Sequence, residues 1–230
     1  MMTSLEVCAG AGGQALGLEQ AGFHHVACVE MDKDCCETLR INRNWRVEEC
    51  DLNTFDARSF RRDVDLFAGG LPCPPFSIAG KQLGDKDERN LFPAALRVID
   101  EIQPKAIMIE NVRGLLSAAF EDYRTWIEVQ LRKMNYEARW RLFNASDYGV
   151  PQLRPRLIFV ALRRDYSDKF SWPLPRQLDP PTVGETLVDL MAARGWRGAP
   201  GALGADASRP RASGSPGGTP RPPDPRVRKD

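Results

Sequence analysis

The segment DVDLFAGGLPCPPFS, Asp63 to Ser77, decides how the rest of the chain is read. Val64 to Ala68 is an apolar run of strand length, Gly69 and Gly70 end it, and Cys73 follows between Pro72 and the pair Pro74, Pro75. Proline fixes φ on both sides of the thiol, so the sulfur sits on a stiff turn at the end of a buried strand. Cysteines that only fill a core lie inside periodic apolar segments. This one lies in a proline-locked turn at a strand end, where a side chain is placed to meet a ligand.

Toward the N-terminus, Leu5 to Ala9 leads into a turn in which Gly10, Gly12 and Ala15 fit the spacing GxGxxA, with a helix expected over Gln14 to Gln20. The same glycines occur in ordinary tight turns, so the next element matters. His25 to Val29 reads as a second strand ending at Glu30, about the interval at which dinucleotide-type folds place an acid on a ribose. A carboxylate there accepts from two vicinal hydroxyls. Asp32 suits the N-cap of a helix through Cys35, Leu39 and Ile41. A short strand, Val47 to Cys50, then precedes Asp51, which either caps a turn or accepts from an adenine amine.

Toward the C-terminus, Ile78 to Asn90 is a polar, charged connector, and Leu91, Ala95, Val98, Ile99 and Ile102 repeat at helical spacing. Pro104 opens a strand over Ala106 to Ile109 that ends in Glu110, at the same sheet edge as Gly10, Glu30 and Cys73. An ion-paired or capping acid is the alternative reading of Glu110. A helix over Tyr123 to Met134, a strand over Glu137 to Phe143, a loop over Ala145 to Arg156 and a strand over Leu157 to Leu162 follow. Arg154 and Arg156 point the same way if that strand has begun, and planar guanidiniums there suit a phosphate or a base carbonyl; a surface pair is the alternative. This alternation predicts an α/β fold: a doubly wound, mostly parallel Rossmann-like sheet with helices on both faces.

Composition bounds the rest. The chain has 230 residues and a formal charge of +1, and its last segment, 198–230, carries six Lys/Arg against three Asp/Glu. Affinity for a polyanion must therefore come from a local patch. Six cysteines without CxxC spacing and only two histidines argue against a zinc site and against a disulfide scaffold, so no metal is expected. No segment approaches membrane-spanning length, and a reduced, cytoplasmic protein with no membrane partner is the expectation. Residues 1–190 are expected to form the one folded domain, and 191–230, rich in Pro, Gly, Ala and Arg, a low-complexity tail.

Taken together these residues resemble the C5-cytosine DNA methyltransferases, from Leu5 to about Leu187 and in the family's order. EVCAGAGG with GLEQAGF looks like the first cofactor motif, Glu30-Met31-Asp32 and Asp51 like the second and third, and AGGLPCPPFSIAGKQLG like the nucleophile motif. ENVRG and PQLRPR look like the glutamate and QxRxR motifs. The resemblance implies S-adenosyl-L-methionine as methyl donor and S-adenosyl-L-homocysteine as product. It implies that Cys8, Gly10, Ala11, Gly12, Gly13, Glu30, Met31, Asp51, Leu52, Pro72 and Leu91 bind the cofactor. Cys8 and Met31 stand where the family usually has aromatic residues, which weakens stacking on adenine. Cys73, Glu110, Arg154 and Arg156 are the implied catalytic residues, with Ser77, Lys81, Gln82 and Gln152 at the DNA. Duplex DNA of a prokaryotic chromosome is the implied partner. TVGETL, residues 182–187, looks like the approach to a target-recognition domain, after which nothing matches, so the chain reads as truncated before that domain and a second chain as its carrier. The alternatives are a tRNA cytosine-5 methyltransferase and an inactive binding module that keeps the cofactor fold.

Overall fold

The computed structural model describes residues 1–72, 90–176 and 179–196; Cys73, Ser77, Lys81 and Gln82 lie outside the described residues. The chain divides into two units, Met1–Pro180 and Pro181–Asp230, ten residues ahead of the boundary read from composition. The first unit is built on a seven-stranded sheet: β1 (Met2–Val7), β2 (Phe23–Glu30), β3 (Val47–Glu49), β4 (Leu66–Gly70), β5 (Ala106–Val112), β6 (Tyr136–Asn144) and β7 (Pro155–Arg163), in the order β3-β2-β1-β4-β5-β7-β6. Neighbours from β3 to β5 are parallel, and β7 runs antiparallel to both β5 and β6. The chain winds outward from β1 to β3 and then returns to place β4 on the other side of β1. That reversal opens a crevice at the carboxyl ends of β1 and β4, where open α/β sheets take their ligands.

The two faces follow from strand alternation. Leu5 and Val7 of β1, Ala27 and Val29 of β2, Phe67 of β4 and Ile107 and Ile109 of β5 join the main core with α3 (Phe92–Ile102) and α4 (Glu121–Lys133). Cys28, Leu66 and Ala68 face the other way, toward α1 (Gly13–Gln20) and α2 (Lys33–Asn42), whose Ala15, Leu18 and Leu39 cover them. In α3 the periodicity of the sequence becomes a buried face: Phe92, Val98, Ile99 and Ile102 are almost fully buried. Each contributes about 1.5–3 kcal/mol of transfer free energy. Asp32 caps α2 by accepting from the Cys35 backbone N–H at 2.9 Å, as its position after Glu30 implied.

Two strands that bear on the site, β4 and β7, differ in their limits from expectation. β4 begins at Leu66 because Asp65 is held at the strand entrance, accepting from the Thr3 N–H at 2.8 Å and from the Lys105 ammonium at 2.5 Å. It continues through both glycines, with Gly69 opposite Val7 and Ile109 and Gly70 opposite Glu110. β7 begins at Pro155, two residues before the expected Leu157, so Arg154 lies outside the strand and Arg156 within it. In the second unit the one described helix, α5 (Val183–Ala193), starts at a capping box in which Thr182 accepts from the Glu185 N–H and Glu185 accepts from the Thr182 N–H. Among the described residues no helix is long and apolar enough to cross a membrane.

Candidate active site

The turn between β1 and α1 has Gly10 at φ 52° and Gly12 at φ 87°, the left-handed region that favours glycine. At Gly12 a Cβ would also stand 2.7 Å from Leu39 Cδ2 and 3.0 Å from Trp45, so the turn packs on α2 only without a side chain. Glu30, 9% exposed at the end of β2, holds this turn: its Oε2 accepts from the Gly10 N–H at 2.7 Å. Its Oε1 accepts from the N–H groups of Met31 and Asp32 at 2.8 and 2.9 Å. A carboxylate offers about four lone-pair sites, so beside the three backbone donors Glu30 keeps acceptor capacity toward the pocket.

Beside Glu30 a pocket is lined by Cys8, Val29, Glu30, Met31, Cys50, Leu52 and Leu91. Five of these, Cys8, Glu30, Met31, Leu52 and Leu91, are residues the sequence assigned to the cofactor. Cys50 and Val29 were not, although both flank Glu30: the Cys50 N–H donates to the Glu30 carbonyl at 3.0 Å where β3 ends. Met31 is 65% exposed at the rim, an apolar thioether presented to solvent. Burial, reinforced by the charges of Glu30 and Asp51, pushes the Cys8 thiol up to about 12. At neutral pH Cys8 is a protonated wall rather than a nucleophile. Asp51 accepts from the N–H and the side-chain amide of Asn53 at 2.9 and 3.1 Å, the capping alternative, while its charge still reaches the pocket through Cys8. Ala11 and Gly13 are exposed on the turn, and Pro72 is exposed just after β4.

Across the crevice Glu110 pairs with Arg156, Nε to Oε1 at 2.5 Å, both side chains partly exposed. Register brings them together: Glu110 lies opposite Gly70 on β4 and opposite Ile158 on β7, with Arg156 opposite Val112. A Cβ at Gly70 would come within 3.6 Å of Glu110 Oε2, so the carboxylate lies against the strand that leads into Cys73. Asn111, which sequence reasoning did not single out, is 2% exposed and donates its Nδ2 to the Leu71 carbonyl at 3.1 Å. Its Oδ1 takes the Val112 N–H at 2.8 Å. A polar residue at an inward position of an apolar strand was the available sign. Arg154 precedes β7, whereas Arg156 lies within it. Arg154 is exposed, with its N–H on Asn144 Oδ1 at 3.0 Å, and Gln152 is exposed with it. The shared direction was tied to both residues lying in the strand, and β7 begins at Pro155, between them.

Among the described residues no group of three His, Cys, Asp or Glu side chains is placed to hold a metal ion. The arrangement therefore offers an acid–guanidinium pair, a glycine turn tied to a buried carboxylate, and a sulfur-lined pocket along one sheet edge.

The family model for C-5 cytosine-specific DNA methylases matches residues 2–203. The match runs past Leu187, where the motif-by-motif resemblance stopped, so the first residues of segment 198–230 fall inside it. The chain is 57% identical over 198 residues to the type II methyltransferase M.NgoMIV of Neisseria gonorrhoeae, covering 86% of this chain and 63% of that protein. It is 52% identical over 199 residues to M.NaeI of Lentzea aerocolonigenes, covering 85% and 48%. A crystal structure of a prophage-encoded E. coli protein described as a DNA modification methyltransferase superposes with TM-score 0.69 at 27% identity, covering 81% of this chain and 54% of the other. The chain thus spans about half to two thirds of the length of these relatives, and across that span it belongs to the C-5 cytosine-specific DNA methylase family.

Proposed function

We propose that this chain carries the catalytic half of an S-adenosylmethionine-dependent DNA cytosine-5 methyltransferase. The observation that supports it most directly is the Glu110–Arg156 pair at the carboxyl edge, against the strand that leads to Cys73 and across from the Glu30 pocket. The donor set fits the cofactor. An apolar, sulfur-lined wall suits a purine, and the free acceptor capacity of Glu30 suits a ribose hydroxyl. The bound cofactor supplies an electrophilic methyl group on a sulfonium.

The chain's residues supply the rest. Cys73, as thiolate, adds to cytosine C6, forming a C–S bond and pushing electron density to C5 and N3. Glu110 supplies a proton toward N3 as that density builds, and Arg156 holds the O2 carbonyl. C5 then takes the methyl group, and loss of the C5 proton with cleavage of the C–S bond returns Cys73. Because C6 is hidden in a duplex, the base must leave the stack. Arg154 and Gln152, exposed beside this edge, are suited to the DNA backbone rather than to the base. Sequence recognition belongs to the remaining length of the family's chains, in the same polypeptide or a second one.

The test is covalent capture. With S-adenosylmethionine and saturating duplex containing 5-fluorocytosine, whose C5 fluorine blocks release, the wild-type chain should form an adduct resolved by denaturing electrophoresis, and Cys73→Ser should not. An adduct that persists in Cys73→Ser, or its absence in a wild-type chain shown by filter binding to hold the duplex, overturns the proposal.

A further inference from the structure

The chemistry above does not use a group of side chains that surrounds α1 on the face of the sheet away from the main core. α1, GQALGLEQ, is eight residues long with two glycines, and only its Ala15 and Leu18 are buried. A helix this short is marginal alone, and glycine weakens it further. Its N-cap, Gly12, has no side chain with which to cap it. The turn that opens α1 is therefore held by what grips the helix from outside.

Trp45 is central to that grip. It stands half-buried in the polar connector 43–46 and packs on the cluster of Ala9, Ala15, Cys28 and Leu39. Both ends of the connector are tied: the Arg43 N–H donates to the Leu39 carbonyl at 3.1 Å, and the Arg46 carbonyl accepts from the Cys28 N–H at 2.8 Å. One edge of the indole meets the turn, since a Cβ on Gly12 would stand 3.0 Å from Trp45 Cζ3. From the other edge Nε1 donates to Oε2 of Glu19, in the last turn of α1, at 2.7 Å. Helical side chains lean toward the N-terminus, which lets Glu19 reach back to a ring that touches the N-cap. Glu19 Oε1 accepts from Arg43 Nε at 3.3 Å, and the Arg43 guanidinium lies 6.0 Å from the indole centroid. His25 of β2, 4% exposed, meets the indole edge-on with centroids 5.1 Å apart. His25 is itself fixed: its Nε2 is 2.8 Å from the Ala15 carbonyl, which only accepts, so Nε2 carries the proton and in the neutral ring Nδ1 accepts from the Ser4 hydroxyl at 2.9 Å.

We propose that Trp45 is a positioning residue for the cofactor: pinned by Glu19 and His25, its indole seats Gly12 and so keeps the Gly10 N–H on Glu30. The proposal rests on the reading of the pocket as an S-adenosylmethionine site. Trp45, Glu19 and His25 do not line that pocket, so they act on it through the turn. The path is short. The Gly12 N–H donates to the Ala9 carbonyl at 3.0 Å, and two residues earlier the Gly10 N–H donates to Glu30 Oε2 at 2.7 Å. Gly12 is in the left-handed region at φ 87°, with Leu39 and Trp45 as the walls that close on it. When the indole is no longer held, one wall gives, the turn relaxes, and Glu30 loses the donor that fixes the carboxylate facing the pocket.

The test measures S-adenosylhomocysteine binding by calorimetry and, in the ligand-free chain, amide exchange residue by residue by NMR. Glu19→Ala leaves the indole N–H without its acceptor and should weaken binding about fivefold, the loss of one net hydrogen bond, while speeding Gly10 exchange by a similar factor. Glu19→Gln keeps a carbonyl acceptor for the indole and should bring both back to within about twofold. Exchange at Ile102 of α3 should match wild type in both variants, which separates a loosened turn from a loss of global stability. In a Trp45→Phe chain, which has no indole N–H, adding Glu19→Ala should change affinity less than about twofold, because two groups that act through one contact are not additive. Wild-type affinity and Gly10 exchange in Glu19→Ala, exchange that speeds equally at Ile102, or an undiminished cost of Glu19→Ala in the Trp45→Phe chain overturns the proposal. If Trp45→Phe does not fold, Glu19→Ala against Glu19→Gln decides, and equal losses in the two overturn it, since the charge paired with Arg43 would then matter and the indole bond would not. A wild-type chain that binds no S-adenosylhomocysteine while Gly10 exchange still responds to Glu19 refutes the cofactor reading and upholds the grip on the turn.

Discussion

Glu110 and Arg156 form an ion pair whose value lies in placement more than in stability. The two side chains keep about a quarter and a third of their surface in water, so screening holds the pair's contribution below about 1 kcal/mol. In the proposed roles of proton donor and oxygen clamp the same two groups should each be worth about two to four orders of magnitude in rate. Glu110→Gln, which keeps the shape and removes the ionisable proton, should therefore leave the urea midpoint nearly unmoved while slowing adduct formation on 5-fluorocytosine duplex by about 10²-fold or more. A parallel loss of stability and rate would mean that the carboxylate is structural. Glu110 could be found from sequence because it ends an apolar run at a strand's carboxyl end. The contrast between Arg154 and Arg156 could not, because it depends on which residue of PQLRPR first pairs with β5, and proline-bearing loops conceal that register.

β4 shows how an element can be recognised while its limits are misread. Glycines ordinarily end strands, and Gly69 and Gly70 were read that way. In the sheet both are strand residues, and at Gly69 the neighbours come too close for anything larger: a Cβ there would lie 2.7 Å from the Val7 carbonyl oxygen, a backbone atom that cannot swing aside. At Gly70 the nearest atom is Glu110 Oε2 at 3.6 Å, ordinary contact with a side chain that can shift. Gly69→Ala should thus destabilise the chain by about 1–3 kcal/mol, as overpacking does. Gly70→Ala should cost less than about 1 kcal/mol yet disturb the acid, so thermal melts should separate the two variants and adduct formation should reverse their order. Equal melting temperatures would refute this account of β4. The helices were read more closely than the strands because amphipathic spacing in α3 and the Asp32 cap in α2 are written in local sequence, whereas strand limits depend on partners far along the chain.

For the first unit as a whole, the buried ionisable groups act in one direction. Glu6 is held up to about 8 from an ordinary value of 4.5, so its contribution to stability is complete below about pH 4.5 and is lost as pH rises through 8. Cys8 and Cys28, pushed by burial up to about 12 from 9, extend that loss on the alkaline side, as does the buried Tyr136 hydroxyl, which donates to the Pro104 carbonyl at 2.6 Å. Asp65 opposes the trend only at low pH: burial works to raise it, but Lys105 and Thr3 together hold it below 3.8, and its contribution is lost as pH falls through that region. The windows do not overlap, so the melting temperature should peak on the acid side of neutrality, near pH 5, and fall by at least about 5 °C between pH 5 and 9. Glu6→Gln, with no proton to lose, should remove most of the fall below pH 9 and leave the thiol-linked part above it. A melting temperature that is level or rising from pH 6 to 9 in the wild-type chain would show that water already reaches Glu6, and the burial that sets its proton affinity would not hold.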